Sequence, residues 1–387
     1  MLNDISSRCV ECEKCINECG FLQKYGSPKQ IADAYPLENQ EYQKIAYECS
    51  LCYLCTSVCP VKLNPAGLFL EMRRDAVRQG KDDFSQHAAL LNYEKLGSSR
   101  MFTWYGLPKG CDTIFFPGCS FSGTRPGRTL EVFQYMSQYI PSLGIVLDCC
   151  TKPSHDLGRQ DYFSSMFEEM RSYLQENGIR NVYVSCPNCY RVFKDYGNDI
   201  SVKTVYEFFA GNGLHVSDKM NQTVAVHDPC ALRFENAVHA DIRKLVSGTG
   251  LLIAEMKHER EKTICCGEGG NAGRIDPAFA RSWVKVREKE AGPHQMITYC
   301  AGCANHFRPF IQTSHVLDLL FEPGKTLAGR VPVSRSPFTY LNRLKLKRRF
   351  RQFLKTDVSR ERRFSPDIGK RKSSRVKRFF SFLLPGK

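Results

Sequence analysis

Thr113-Ile114-Phe115-Phe116-Pro117-Gly118-Cys119 and Thr223-Val224-Ala225-Val226-His227-Asp228-Pro229-Cys230 follow one plan: a β-prone run, a proline-bearing turn, then a cysteine. Asn181-Val182-Tyr183-Val184-Ser185-Cys186 and Met296-Ile297-Thr298-Tyr299-Cys300 follow it again. Helix-prone segments stand between these runs, Arg128 to Tyr139 in the first half and Pro277 to Glu290 in the second. Strands alternating with helices predict α/β units with parallel sheets. Cysteines at strand ends then lie where ligands gather in such sheets.

The resemblance between the halves extends to every cysteine in them. Unit one carries Cys119, Cys149, Cys150, Cys186 and Cys189; unit two carries Cys230, Cys265, Cys266, Cys300 and Cys303. Equivalent cysteines are offset by 111, 116, 116, 114 and 114 residues. Five thiols recurring in the same order mark an internal repeat, and all five of a unit are expected on one rim.

Upstream, Cys9, Cys12, Cys15 and Cys19 have the spacing C-x2-C-x2-C-x3-C, and Cys49, Cys52, Cys55 and Cys59 repeat it, with Pro60 following. Three thiolates two residues apart wrap three corners of a [4Fe–4S] cubane, and the fourth reaches the other cube. That rule groups Cys9, Cys12, Cys15 and Cys59 at one cluster, and Cys49, Cys52, Cys55 and Cys19 at the other. Zinc sites also use C-x2-C pairs, but as two separated pairs. Gly20 stands where a proline usually follows the fourth cysteine, which loosens the turn without removing a ligand. Helix-prone residues such as Ile31 to Ala34 and Tyr42 to Ala46 join the motifs, and Pro65 to Arg78 reads as a helix with proline in its first turn.

Nineteen cysteines in 387 residues are too many for a chain of this size to spend on disulfides, so metal or redox chemistry is the better reading. The N-terminus has no basic and apolar leader, and no apolar run approaches the ~18 residues of a membrane span. A cytoplasmic protein is expected. The net charge of +15 is local: residues 335–387 hold 18 Lys or Arg against 3 Asp or Glu, which leaves the rest neutral.

These motifs resemble the CCG-type cysteine-rich domain, C-x(n)-C-C-G-x(n)-C-x-x-C, behind a helical dicluster ferredoxin module. Cys265-Cys266-Gly267 matches the named triplet, whereas Cys149-Cys150-Thr151 has threonine in place of glycine. The layout is similar to the C and B components of heterodisulfide reductase fused in one chain, as in the membrane-linked D component. It is also similar to the iron–sulfur subunits of glycolate oxidase and anaerobic glycerol-3-phosphate dehydrogenase. The resemblance implies two [4Fe–4S] cubanes relaying electrons and a noncubane [4Fe–4S] cluster in each five-cysteine unit. It further implies disulfide cleavage between the two noncubane clusters, each capturing one sulfur. The alternative is an electron-transfer subunit of a flavin-dependent hydroxyacid or glycerol-3-phosphate dehydrogenase that reduces quinone. A zinc-binding scaffold is the non-enzymatic rival. No flavin or nicotinamide site is evident, so a flavoprotein, a cytochrome b or another partner must exchange the electrons.

His155 and His227 are candidates for protonating a leaving thiolate, set against roles in backbone bonding or in tuning a cluster. His306 reads as structural, and Cys111, the one cysteine outside the motifs, as a small buried side chain. Gly267 to Ala272 contains G-x-G-x-x-A, but its place directly after two iron ligands favours a loop hugging a cluster over a dinucleotide site. In the basic tail, Leu341, Leu344, Phe350, Phe353 and Leu354 alternate with Lys345, Lys347, Arg348, Arg349 and Arg351, an amphipathic pattern suited to an anionic membrane surface on the inner face of the cell membrane. Nucleic acid is the weaker reading. The expected domains are 1–80 (dicluster ferredoxin), 81–110 (linker), 111–215 and 216–325 (CCG units) and 326–387 (basic tail, helical or disordered).

Overall fold

The computed structural model describes residues 2–35, 45–213 and 220–366. Ten strands form two sheets: β1 Trp104–Leu107, β2 Thr113–Phe116, β3 Gly144–Leu147, β4 Asn181–Val184, β5 Ser201–Thr204, β6 Thr223–His227, β7 Leu252–Ala254, β8 Gln295–Thr298, β9 Thr313–His315 and β10 Val358–Arg360. Unit two has the simpler sheet, β7-β6-β8-β9, with every pair parallel. Unit one contains the same parallel arrangement, β3-β2-β4-β5, extended by two antiparallel strands, β1 beside β3 and β10 beside β1. Its central strands β2 and β3 are buried along their length, with Ile114, Phe115, Phe116, Ile145 and Val146 at 0% exposure, as parallel strands covered on both faces require.

The predicted helices form as Pro126–Tyr139 and Pro277–Ala291, each with proline in its first turn. Upstream of the sheets the chain is helical. Pro28–Ala34 opens with a capping box in which Ser27 and Gln30 bond each other's backbone, and Asn64 caps Pro65–Arg78 by accepting from the Gly67 N–H at 3.0 Å. Of the predicted joining helices, Tyr42 to Lys44 lie outside the described residues.

Two boundaries read from the sequence differ from the packing. The stretch 81–110, expected as a linker, holds the helix Ala88–Gly97 and supplies β1 to the first sheet. The basic segment, expected as a separate tail from 326, is built into unit one over 338–362. Its helix Phe338–Phe353 buries Leu346 and Phe350, and the Phe350 ring meets Phe133 edge-on at 5.0 Å. Part of its charge is spent inside the protein: Lys347 Nζ bonds Arg100 O at 2.8 Å and Glu361 at 2.8 Å, and Arg343 bonds Gly97 O at 2.8 Å. Arg362, fully buried, pairs with Asp148 and Glu169. A count of net charge cannot see such pairing, so composition alone reads the segment as a tail. Residues 367–387, including Lys370-Arg371-Lys372, lie outside the described residues. Phe350→Ala is expected to cost about 3–5 kcal/mol of stability, as for a buried phenylalanine truncated in a core. Guanidinium unfolding of the anaerobically purified protein measures this, and a loss below about 1 kcal/mol would separate the helix from the core of unit one.

Candidate metal centres

The N-terminal thiols gather around two hollows. One is lined by Cys9, Cys12, Cys15 and Cys59, and the other by Cys19, Cys49 and Cys52; Cys55 borders both. The walls are apolar, with Ile16, Pro28 and Leu63 around the first and Phe21, Phe69 and Trp283 around the second. Burial pushes the Cys15 thiol up to about 11, and the neighbouring Cys9, Cys12 and Cys59 add to the rise. Cys55 is raised by burial first, then by Cys49, Cys19 and Cys52. Most sulfurs near each thiol are those the spacing groups with it, while Cys15 of the first set also acts on Cys55 and Cys19 of the second. Amide donors also point at these sulfurs, Leu51 N–H to Cys49 Sγ and Leu63 N–H to Cys59 Sγ, each at 3.4 Å.

In unit one, Cys189 Sγ lies 3.4 Å from Cys150 Sγ and also contacts Cys186, while Cys119 contacts Cys149. In unit two, Cys265 contacts Cys230 and Cys266, and Cys303 contacts Cys266 and Cys300. Each set therefore assembles at the rim of its sheet. The backbone after the paired cysteines differs between units. Gly267 has φ +107°, and a Cβ there would stand 2.8 Å from Ala280 O and from His306 Nε2. Thr151 has φ 54°, in the left-handed region that a β-branched residue enters at a cost of about 1–3 kcal/mol.

Among the described residues, no three His, Cys, Asp or Glu side chains close on a point as they would around a single ion. The thiols instead surround spaces. A buried all-thiol donor set is unfavourable as thiolate without a cation: burial first, then the neighbouring Cys52, push Cys19 up to about 12. Soft, thiophilic iron–sulfur groups match these donors.

The second hollow lies against unit two. Cys52 and Leu54 pack with Ile264, Cys265 and Trp283, bordered by Cys19 and Cys230. The glycine-rich run closes this seam: a Cβ on Gly269 would stand 2.5 Å from Ser50 O and 2.9 Å from Cys265 Sγ. It follows no strand, forms a short 3-10 turn, Gly269–Arg274, and packs on cysteine backbone. Two buried arginines hold the same seam. Arg233 donates to Cys52 O at 2.9 Å and to the carbonyls of Glu261 and Thr263. Arg73 donates to Ala46 O at 2.9 Å, to Asp156 O and Gly270 O at 2.7 Å, and to Cys49 O. Between the units, the buried Tyr206 hydroxyl lies 2.8 Å from Ser185 O and 2.7 Å from Tyr299 O, the residues before Cys186 and Cys300.

Neither arginine nor the tyrosine was singled out from the sequence. A signal existed for Arg73, which follows Phe69 by four residues and precedes Ala76 by three on the buried face of its helix. The histidines divide. His155 uses both ring nitrogens, on Asp156 and on Tyr196 at 2.9 Å each. His227 is fully buried, and neither of its nitrogens has a partner among the described residues. His306 sits beside Gly267, 3.8 Å from the Glu268 carboxylate. Cys111 packs in the core of unit one and donates to Thr113 O at 3.3 Å, as a small buried side chain.

Residues 5–63 match the model of the 4Fe-4S dicluster domain, and residues 224–308 match that of the cysteine-rich domain designated CCG. The chain thus joins a 4Fe-4S dicluster domain to a cysteine-rich domain of the CCG type. It is 24% identical over 348 residues to the B component of fumarate reductase (CoM/CoB) from Methanothermobacter marburgensis, covering 80% of this chain and 69% of that protein. It is 24% identical over 304 residues to the D component of dihydromethanophenazine:CoB–CoM heterodisulfide reductase from Methanosarcina barkeri, covering 70% and 73%. An EtfAB:quinone oxidoreductase of Syntrophomonas wolfei is 23% identical over 257 residues, 58% of this chain and 36% of that protein. A solved aspartate racemase of Picrophilus torridus covers 60% of this chain and is itself wholly covered, at 10% identity and a TM-score of 0.25, too low to carry an argument.

Arg73→Met removes donors from four carbonyls in three parts of the chain. Each buried carbonyl left without a donor is expected to cost about 1–3 kcal/mol. Iron and labile sulfide per chain should fall, with the second N-terminal site emptying before the first. Full retention of both after anaerobic gel filtration would contradict this role.

Proposed function

We propose that this chain is the electron-transferring iron–sulfur subunit of a heterodisulfide reductase-like complex. Cys9, Cys12, Cys15 and Cys59 would hold one [4Fe–4S] cubane, and Cys49, Cys52, Cys55 and Cys19 the second. Cys119, Cys149, Cys150, Cys186 and Cys189 would hold one noncubane cluster, and Cys230, Cys265, Cys266, Cys300 and Cys303 another. When bound, such groups supply one-electron steps. The polypeptide orders them: the shared border at Cys55, the seam at Cys52 and Cys265, and the Tyr206 bridge connect the four sites in sequence. The observation that carries the reading is the pair of complete five-cysteine sets, one of them packed directly on an N-terminal site.

The overall reaction is a disulfide plus two electrons and two protons giving two thiols, or its reverse. Both CoM/CoB relatives favour this chemistry. A redox partner supplies or removes the electrons. The quinone oxidoreductase relative favours the second reading, in which a flavoprotein partner delivers electrons and quinone takes up two of them with two protons. His155, with both nitrogens engaged, is a poor candidate for proton delivery.

Cysteine replacements test the cluster assignment. Cys9→Ala and Cys59→Ala should each remove the same paramagnetic signal from the reduced protein, and Cys19→Ala should remove the other cubane's. Loss grouped by motif, with Cys59 behaving like Cys49, would overturn the crossed arrangement. Four zinc ions and no labile sulfide would defeat the iron–sulfur reading altogether. Added disulfide should perturb the spectrum of the CCG-bound clusters; silence towards disulfides together with reduction by a flavoprotein would favour the quinone-linked role.

We also propose that the protein docks peripherally on an anionic membrane, on the inner face. Among the described residues no helix is long and apolar enough to cross one. The outward side of Phe338–Phe353 presents Phe338, Leu341, Lys345, Arg348 and Arg349. Reversing Lys345, Arg348 and Arg349 to glutamate together should weaken salt-sensitive binding to phosphatidylglycerol vesicles at least tenfold in a flotation assay. Unchanged flotation would exclude this face as the contact.

A further inference from the structure

The two units differ three residues before the first cysteine of each set. Unit one has Phe116, whose ring meets Phe193 at 5.3 Å and 72°. Unit two has His227, whose ring meets Phe307 at 4.8 Å and 82°. Phe193 and Phe307 each lie four residues after the last cysteine of their set, so these are one edge-to-face pair built twice. An imidazole therefore occupies a place that the repeat elsewhere gives to a phenyl ring.

A phenyl ring needs no polar partner there, and an imidazole does. His227 is fully buried, and among the described residues neither Nδ1 nor Nε2 has a partner. A buried polar group left unsatisfied costs about 1–3 kcal/mol, so such groups are almost always matched. Strand alternation identifies what lies before the ring. Val224 and Val226 point into the main core, whereas Ala225 belongs to a second cluster that includes Met256, Val284, Cys266, Cys300, Cys303 and Phe307. His227 shares the side of Ala225, and its contact with Phe307 agrees. The nearby oxygen acceptors are taken: the Asp228 carboxylate receives Arg243, Tyr299 Oη and the Arg260 N–H. Thr263 Oγ1 receives Arg287 and itself donates to Asp228 O. Sulfur is abundant on this side, where Cys266, Cys300, Cys303 and Met256 belong to the same packed cluster as Ala225 and Phe307.

We propose that His227 donates a ring N–H to sulfur of the iron–sulfur group bound by the five cysteines of unit two, a contact that Phe116 denies unit one. His227 is thus a positioning and tuning residue. A donor on cluster sulfur stabilises the reduced, more negative state. The contact biases electrons towards unit two, the unit packed against the second N-terminal site. The inference rests on unit two holding an iron–sulfur group.

The full chain, purified anaerobically with either natural-abundance or 15N-labelled histidine, provides the test by pulsed electron paramagnetic resonance. The signal that disappears in Cys266→Ala protein belongs to unit two; if no signal depends on Cys266, the cluster assignment fails rather than this inference. In the wild type that signal should show a histidine nitrogen coupling that changes with the isotope. His227→Phe should abolish the coupling and lower the midpoint potential of this cluster alone. His306→Gln, removing the other histidine near Gly267, should leave both unchanged. A wild-type signal without histidine coupling, or a coupling that survives His227→Phe, overturns the proposal. Should His227→Phe fail to retain iron, the labelled wild type and His227→Gln, which keeps an N–H donor, decide it: coupling absent from the former, or a potential in the latter equal to that of wild type with no nitrogen coupling, would count against it.

Discussion

One buried guanidinium joins the parts of this protein. Arg73 has no exposed surface, and its N–H groups end on carbonyls of Ala46 and Cys49 in the N-terminal module, Asp156 in unit one and Gly270 in unit two. Tyr47 offers its ring face at 5.1 Å. Taking an arginine out of water is costly, and the cost is offset only when nearly all its donors are used with good geometry. Those acceptors come from segments up to 197 residues away in the chain, so the charge is tolerated only if all three parts are docked. Cys49 lines the second N-terminal hollow, and the same bond therefore ties that hollow to the glycine turn beside Cys265.

The repeats share a parallel four-stranded plan but are finished differently. Unit one gains two antiparallel strands and the helix Phe338–Phe353, which covers the edge and one face. Unit two keeps the bare plan and is covered at its cysteine rim by the N-terminal module. Electron relays need short separations and excluded water, and apolar seams such as Leu54, Ile264 and Trp283 supply both. The asymmetry gives the two five-cysteine sets different neighbours: one meets the relay, and the other is reached across the Tyr206 bridge.

The local chemistry of this molecule is readable in its sequence. Thiol spacing reports which cysteines crowd one another, because two-residue steps set how many sulfurs can face one space; Cys15 with Cys9, Cys12 and Cys59 is the clearest case. Strands ending at Cys119, Cys186, Cys230 and Cys300, and helices at Pro126–Tyr139 and Pro277–Ala291, follow from period and turn residues. The basic segment misleads because amphipathic spacing names a buried side without naming what buries it. Phe350 meets Phe133, and Arg362 meets Asp148, where composition suggested a free tail.

The sequence alone thus determined two N-terminal thiol clusters, a twofold α/β repeat and ten further thiols in matching order, since each is a matter of spacing along a short stretch of chain. Tertiary structure decided that the N-terminal module packs on unit two, that 338–362 completes unit one, and that His227 lies buried without a partner where unit one has Phe116. Those outcomes depend on which remote carbonyls, carboxylates and rings meet a buried charge or ring, and no local pattern encodes that choice.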